Sequence, residues 1–160
     1  MNEQDLNYSK GTISINLVHE ALLSAQHQGL NTQSILLKSG IPLELMQSSK
    51  ARVSVSQYAQ LWIELADAMN DEFFGMDSHP MRRGSFKLLS QSVMYAETLE
   101  KALQHILQFL NLVLDDFISQ LFVQENYAYI VIYEQKQTKR MFSYATYLML
   151  IHGLMCWLSG

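Results

Sequence analysis

Between Met141 and Leu158 the chain carries no Asp, Glu, Lys or Arg, and an uncharged run of that length has few structural outlets. It can cross a bilayer, pack into a core, or be covered by a partner. About eighteen residues is the low limit for a span, and Ser143, Thr146, His152 and Gly153 interrupt this one. A buried or interface helix is therefore expected, with membrane anchoring as the lesser alternative. Such a helix needs cover on every side, and the sequence stops at Trp157-Leu158-Ser159-Gly160. The expectation is a piece of a longer protein whose remainder supplies that cover.

The rest of the chain has the apolar material for its own core. Hydrophobic residues make up 49% of the 160 and charged residues 16%, which excludes a disordered tail and fits one domain. Residues 1 to 11 are polar and acidic, with no basic and apolar leader pattern, and are expected as a lead-in. Residues 12 to 160 are expected as the domain proper. Leu17, Val18, Ala21, Leu22 and Ala25 recur at helical spacing up to Gly29. Asn31 is a candidate N-cap for a short helix through Ile35 to Leu37, which Gly40 and Pro42 stop, and Leu43 to Gln47 form one further turn. Ser54 followed by Gln57, between Val53 and Tyr58, reads as a capping box with a hydrophobic staple. It opens a helix on which Tyr58, Leu61, Trp62, Leu65, Ala66 and Met69 share a face.

Phe73-Phe74-Gly75-Met76 is a short apolar patch, and Asp77 to Gly84, with Pro80, reads as a loop before a helix from about Ser85 to Met94. Thr98 caps a second long stripe of Leu99, Ala102, Leu103, Ile106, Leu107, Leu110 and Val113. From Phe117 the residues turn β-branched and aromatic in two runs, 117–123 and 127–134, separated by Gln124-Glu125-Asn126. The expected class is α+β: a mainly helical domain with an antiparallel hairpin over about residues 117–134, packed between helices because both its faces are apolar.

Catalytic chemistry is hard to find. No two of the five histidines have helical metal-ligand spacing, one cysteine cannot build a thiolate cluster, and no nucleophile elbow or phosphate-cradling glycine loop occurs. Asp115-Asp116 reads as a helix-to-strand junction, and neither an enzyme nor a cofactor is expected. Fifteen acidic against eleven basic residues give a net charge of −4, so no DNA-binding surface is expected in this segment. The single cysteine suits a reducing, cytoplasmic setting. The candidate ligand-binding residues are Tyr58 and Trp62, an aromatic pair that serves equally well as core. Arg82 and Arg83 are candidate partners for an acid group before a helix N-terminus. His152 is a candidate polar group inside an apolar region.

Three stretches in order carry a resemblance: Leu36-Leu37-Lys38-Ser39-Gly40-Ile41; Arg52-Val53-Ser54 with Tyr58 and Leu61-Trp62; and Gly84-Ser85-Phe86 followed by Thr98-Leu99 and Ala102-Leu103. Together they resemble the N-terminal domain of AraC-type bacterial transcription regulators, in the group labelled arabinose-binding that includes ornithine-utilisation-like regulators. Lys87 and Ser90 depart from the pattern, standing where members often carry glycine. The resemblance implies a helix-rich module that binds a small-molecule effector and forms a homodimer. DNA would be held by a separate C-terminal pair of helix-turn-helix motifs missing from this segment. A ligand-free dimerisation scaffold, using the uncharged C-terminal helix and the Leu99 to Val113 stripe, is the alternative from another class.

Overall fold

A computed structural model describes residues 12–135 and 138–160; the lead-in expected over residues 1 to 11 lies outside the described residues. The chain forms two compact units, Met1–Met69 and Asn70–Gly160.

In the first unit a short strand β1 (Thr12–Ser14) leads into α1 (Ile15–His27), followed by α2 (Thr32–Lys38), a 3₁₀ turn (Leu43–Gln47), β2 (Arg52–Ser54) and α3 (Val55–Met69). The helix starts are chemically specified. Asn31 accepts from the Ser34 N–H at 3.0 Å. Ser54 Oγ accepts from the Gln57 N–H at 3.1 Å while Gln57 Oε1 accepts from the Ser54 N–H at 2.8 Å, the reciprocal capping box expected from the sequence. Ile15, Val18, Ala21, Leu22, Ile35, Leu36, Leu61, Leu65 and Ala66 are the buried faces of these helices. One element was not foreseen: β1 and β2 pair antiparallel, with Ile13 opposite Val53. Three residues per strand are too few to show an alternation, so no sequence signal announced the pairing.

The second unit begins with an irregular segment over residues 70–84, then α4 (Ser85–Val93), α5 (Leu99–Val113), β3 (Phe117–Val123), β4 (Ala128–Glu134) and α6 (Met141–Ser159). Thr98 Oγ1 caps α5 by accepting from the Lys101 N–H at 3.1 Å. The stripe Ala102, Ile106, Leu107 and Leu110 is buried against β3 and α6, so it builds this unit's own core and is not free to supply a dimer contact. Phe73, Phe117 and Tyr147 form the aromatic centre. Phe117 and Tyr147 stack at 5.3 Å between centroids, and Phe73 meets Phe117 edge-on at 5.5 Å. Edge-to-face and offset stacking are the arrangements that ring quadrupoles favour.

The expected hairpin forms, with Phe117 opposite Glu134 and Val123 opposite Ala128, but it is not packed between helices. Residues opposite one another share a face, and the face of Phe117, Ser119 and Leu121 turns toward α5 and α6. The other face, with Ile118, Tyr129 and Tyr133, stays exposed. Both faces looked alike in sequence because the uncovered one is also aromatic. Helix α6 differs from its expectation in a similar way. Ser143, Tyr147, Ile151 and Leu154 form its buried side, while Met141, Leu148, Met149 and Trp157 are exposed. Polar Ser143 and Thr146 lie inward and apolar residues outward, so hydropathy carried no sign of which side packs. Among the described residues α6 is long and apolar enough to cross a membrane, by length and composition only.

Candidate functional site

The segment after Asn70 is organised by acidic side chains. Asn70 and Phe74 both have left-handed backbone, at φ 48 and 57, a conformation that costs a bulky residue energy unless its surroundings enforce it. Asp71 enforces it at Phe74: one oxygen accepts from the Phe73 N–H at 2.8 Å and the other from the Gly75 N–H at 2.7 Å. Its first oxygen also accepts from the Met81 N–H at 2.9 Å, closing the loop back on itself. Asp77 accepts from the N–H groups of His79, Asp115 and Asp116 at 2.8–2.9 Å. Asp116 answers by accepting from the Ser78 N–H at 2.7 Å, the Ser78 hydroxyl at 2.8 Å and the Lys139 ammonium at 2.5 Å. Burial pushes the Asp116 carboxyl up, but the Lys139 ammonium and the Ser78 donors outweigh it and hold the pKa at about 2, below its ordinary 3.8.

Glu72 does the same at the start of α4. Its carboxylate accepts from the Gly84 N–H at 2.9 Å and the Phe86 N–H at 2.6 Å, and pairs with the Arg83 guanidinium at 3.1 Å. This is the anion position that a basic pair before a helix N-terminus implied, and a side chain of the same unit fills it. An acidic ligand at Arg83 would have to displace Glu72. Arg82 is exposed.

The remaining sequence candidates divide between the units. Tyr58 and Trp62 lie half-buried one turn apart on α3, meeting edge-on at 5.6 Å. Burial pushes the Tyr58 hydroxyl up to about 12, against a hydrogen bond from Trp62 that lowers it. In the second unit His152 is exposed on α6 instead of lying inside an apolar region, with its Nε2 3.5 Å from Cys156 Sγ. Beside buried Ser143 and Thr146, α6 buries Tyr147, whose hydroxyl is 2.5 Å from Ser119 Oγ and is pushed up to about 12 by burial, partly offset by the Ser119 bond. Asp115-Asp116 is the helix-to-strand junction expected, with Asp116 buried as a structural carboxylate.

A groove of about 240 Å³ opens in the second unit between α5 and β3. Gln104, Leu107, Gln108 and Asn111 line it from the helix, at the spacing of one helical face. Ser119, Gln120 and Leu121 line it from the strand. Asn111 anchors the wall: its Nδ2 donates to the Ser119 carbonyl at 2.8 Å, and its Oδ1 accepts from the Ser119 N–H at 2.8 Å and hydroxyl at 3.1 Å. None of these residues was a sequence candidate. The glutamines of α5 read as ordinary solvated positions opposite the stripe, and only the approach of β3 makes a concavity of them. Among the described residues no cluster of metal-ligating side chains occurs.

A family model described as the arabinose-binding domain of AraC transcription regulator, N-term, matches residues 29–160. No curated protein and no solved structure matches the chain.

Proposed function

The chain belongs to the family of arabinose-binding N-terminal domains of AraC transcription regulators, and we propose that it is the regulatory half of such a regulator, sensing a small-molecule effector as a homodimer and setting the orientation of attached DNA-binding domains. The observation that carries this reading is the family match over residues 29–160. The charge balance agrees with it. At a net −4, and with Arg83 and Lys139 paired to Glu72 and Asp116, the chain has little basic surface for phosphates. In the whole regulator DNA would be held by a C-terminal pair of helix-turn-helix motifs, and the protein would work in the cytoplasm, without a membrane. An effector acts by binding one arrangement of the domain or dimer more tightly than another.

The scaffold reading is favoured by one specific observation, the exposed apolar side of α6 at Met141, Leu148, Met149 and Trp157. A pure scaffold predicts a concentration-dependent dimer and no ligand-induced thermal shift. The deciding experiment has two parts. Sequencing the reading frame beyond the Gly160 codon should reveal two helix-turn-helix patterns in a basic segment. A reporter driven by the complete regulator should then respond to an effector from a metabolite panel. A stop codon at Gly160, or a reporter that no panel member moves, overturns the proposal.

A further inference from the structure

We infer that His152 and Cys156, on the exposed side of α6, are half of a zinc site and that a second copy of this chain supplies the other half, so that one Zn²⁺ bridges the homodimer; this rests on the homodimer reading above. The two side chains stand four residues apart, on one helix face, and both are exposed. His152 Nε2 lies 3.5 Å from Cys156 Sγ. An ion with a Zn–N bond of about 2.0 Å and a Zn–S bond of about 2.3 Å at the tetrahedral angle holds its two donors about 3.5 Å apart. A linear two-coordinate ion with the same bonds would hold them about 4.3 Å apart. The pair therefore presents the donor separation of a tetrahedral site before any metal arrives.

One chain cannot finish that site. Structural zinc takes four ligands, and among the described residues no group of three His, Cys, Asp or Glu side chains could hold a metal ion. A second copy related by a two-fold axis repeats the same pair, which gives two imidazoles and two thiolates, a nitrogen and sulfur set that suits zinc and not the oxygen-seeking cations. The face around the pair fits a second copy. Met141, Ala145, Leu148, His152 and Cys156 form one exposed stripe at spacings of three and four, with Met149 beside it. No charged residue occurs between Met141 and Leu158, so two such faces meet without like-charge repulsion. Each thiol gives its proton to solvent as the metal binds. Two thiolates then balance the charge of one Zn²⁺, and the completed site is neutral, as an apolar interface requires.

The test is titration of the reduced, metal-free chain with Co²⁺ as a spectroscopic stand-in, then displacement by Zn²⁺, with sedimentation velocity read in parallel. Co²⁺ should saturate at one ion per two chains, with a thiolate-to-cobalt charge-transfer band and the intense visible bands of tetrahedral coordination. Zn²⁺ should displace it, and the dimer should form with metal and dissociate in EDTA. His152→Ala and Cys156→Ser, at exposed positions where folding is not at stake, should each weaken Co²⁺ by at least about a hundredfold, since losing even a group that orients a ligand costs 10–100-fold. The inference is overturned if no thiolate band appears, if Co²⁺ saturates at one ion per chain, or if either variant binds like the parent. A dimer that persists unchanged in EDTA also overturns the bridge, yet leaves the homodimer reading standing. So does a Cys156 thiol shielded from thiol reagents in the metal-free complete regulator, which would show another part of that protein covering α6. A chain that stays monomeric at saturating Zn²⁺ overturns the bridge as well, and sedimentation of the complete regulator then decides the homodimer reading separately.

Discussion

The two compact units use side-chain hydrogen bonds in opposite ways. In the first, the cap bonds are local: Ser14 to Asn16, Asn31 to Ser34, and Ser54 with Gln57. Its longer ties, from Arg52 to Thr12 and from Gln57 to the Gly40 carbonyl, are exposed. In the second unit the ties are buried carboxylates reaching far along the chain, from Asp71 to Met81, Glu72 to Phe86, Asp77 to Asp116 and Asp116 to Lys139. A local cap stabilises one helix end, and its loss is absorbed where it occurs. A buried carboxylate that joins distant backbone N–H groups holds several segments at once, and its removal orphans every donor it served. The first unit should therefore tolerate polar substitutions that the second cannot.

The harshest test of that contrast is Asp71→Ala. Three backbone N–H groups lose their acceptor, two of them in a buried place, at about 1–3 kcal/mol each when buried and unsatisfied. Partial relaxation should leave a loss of about 4 kcal/mol in denaturant unfolding; a loss below about 1 kcal/mol would show that the loop does not depend on this residue. Next in size is acid. Because the Asp116 pKa falls from 3.8 to about 2 on folding, its contribution of about 2 kcal/mol is complete above the unfolded value and is lost as the pH falls through the folded one. Unfolding free energies measured from pH 5 down to pH 2 should show this slope, and Asp116→Asn should flatten it. An unchanged slope in the variant would assign the acid sensitivity to other groups.

In the first unit Ser54→Ala should cost about 1 kcal/mol, with Gln57→Ala adding less than its single effect because the two bonds are reciprocal. A cost above about 3 kcal/mol would abolish the distinction between the units. The smallest effect belongs to Arg83→Ala. Its side chain is 40% exposed, so the pair with Glu72 should contribute under about 1 kcal/mol, and Glu72 keeps its two backbone donors. A large loss of stability would mark Arg83 as structural, whereas weakened binding of an acidic effector with folding intact would return the ligand site to the α4 N-terminus.

Legibility followed the same division. The helix boundaries, the capping box, the Thr98 cap and the existence of the hairpin were readable because each rests on patterns local in the chain. Of the site candidates, Tyr58 and Trp62 do meet, being one turn apart on a helix. The acid-group position before α4 was recognised by its local pattern, but its occupant Glu72 stands twelve residues before Gly84, beyond any helical or turn spacing. The groove was not legible at all, since Gln104 and Gln108 line a concavity only because a distant strand is brought against them.

By itself, then, the order of residues determined the helices and the hairpin of this protein, its helix-dominated α+β class and its family, but not the short β1–β2 pair, because periodicity, caps and turn residues act through neighbours in the chain. Which hairpin face is covered, which side of α6 packs, where each carboxylate finds its donors and where a ligand-sized groove opens were settled by folding. These depend on contacts between segments tens of residues apart, and the bare identity of an exposed glutamine or a buried aspartate does not say which distant backbone it will meet.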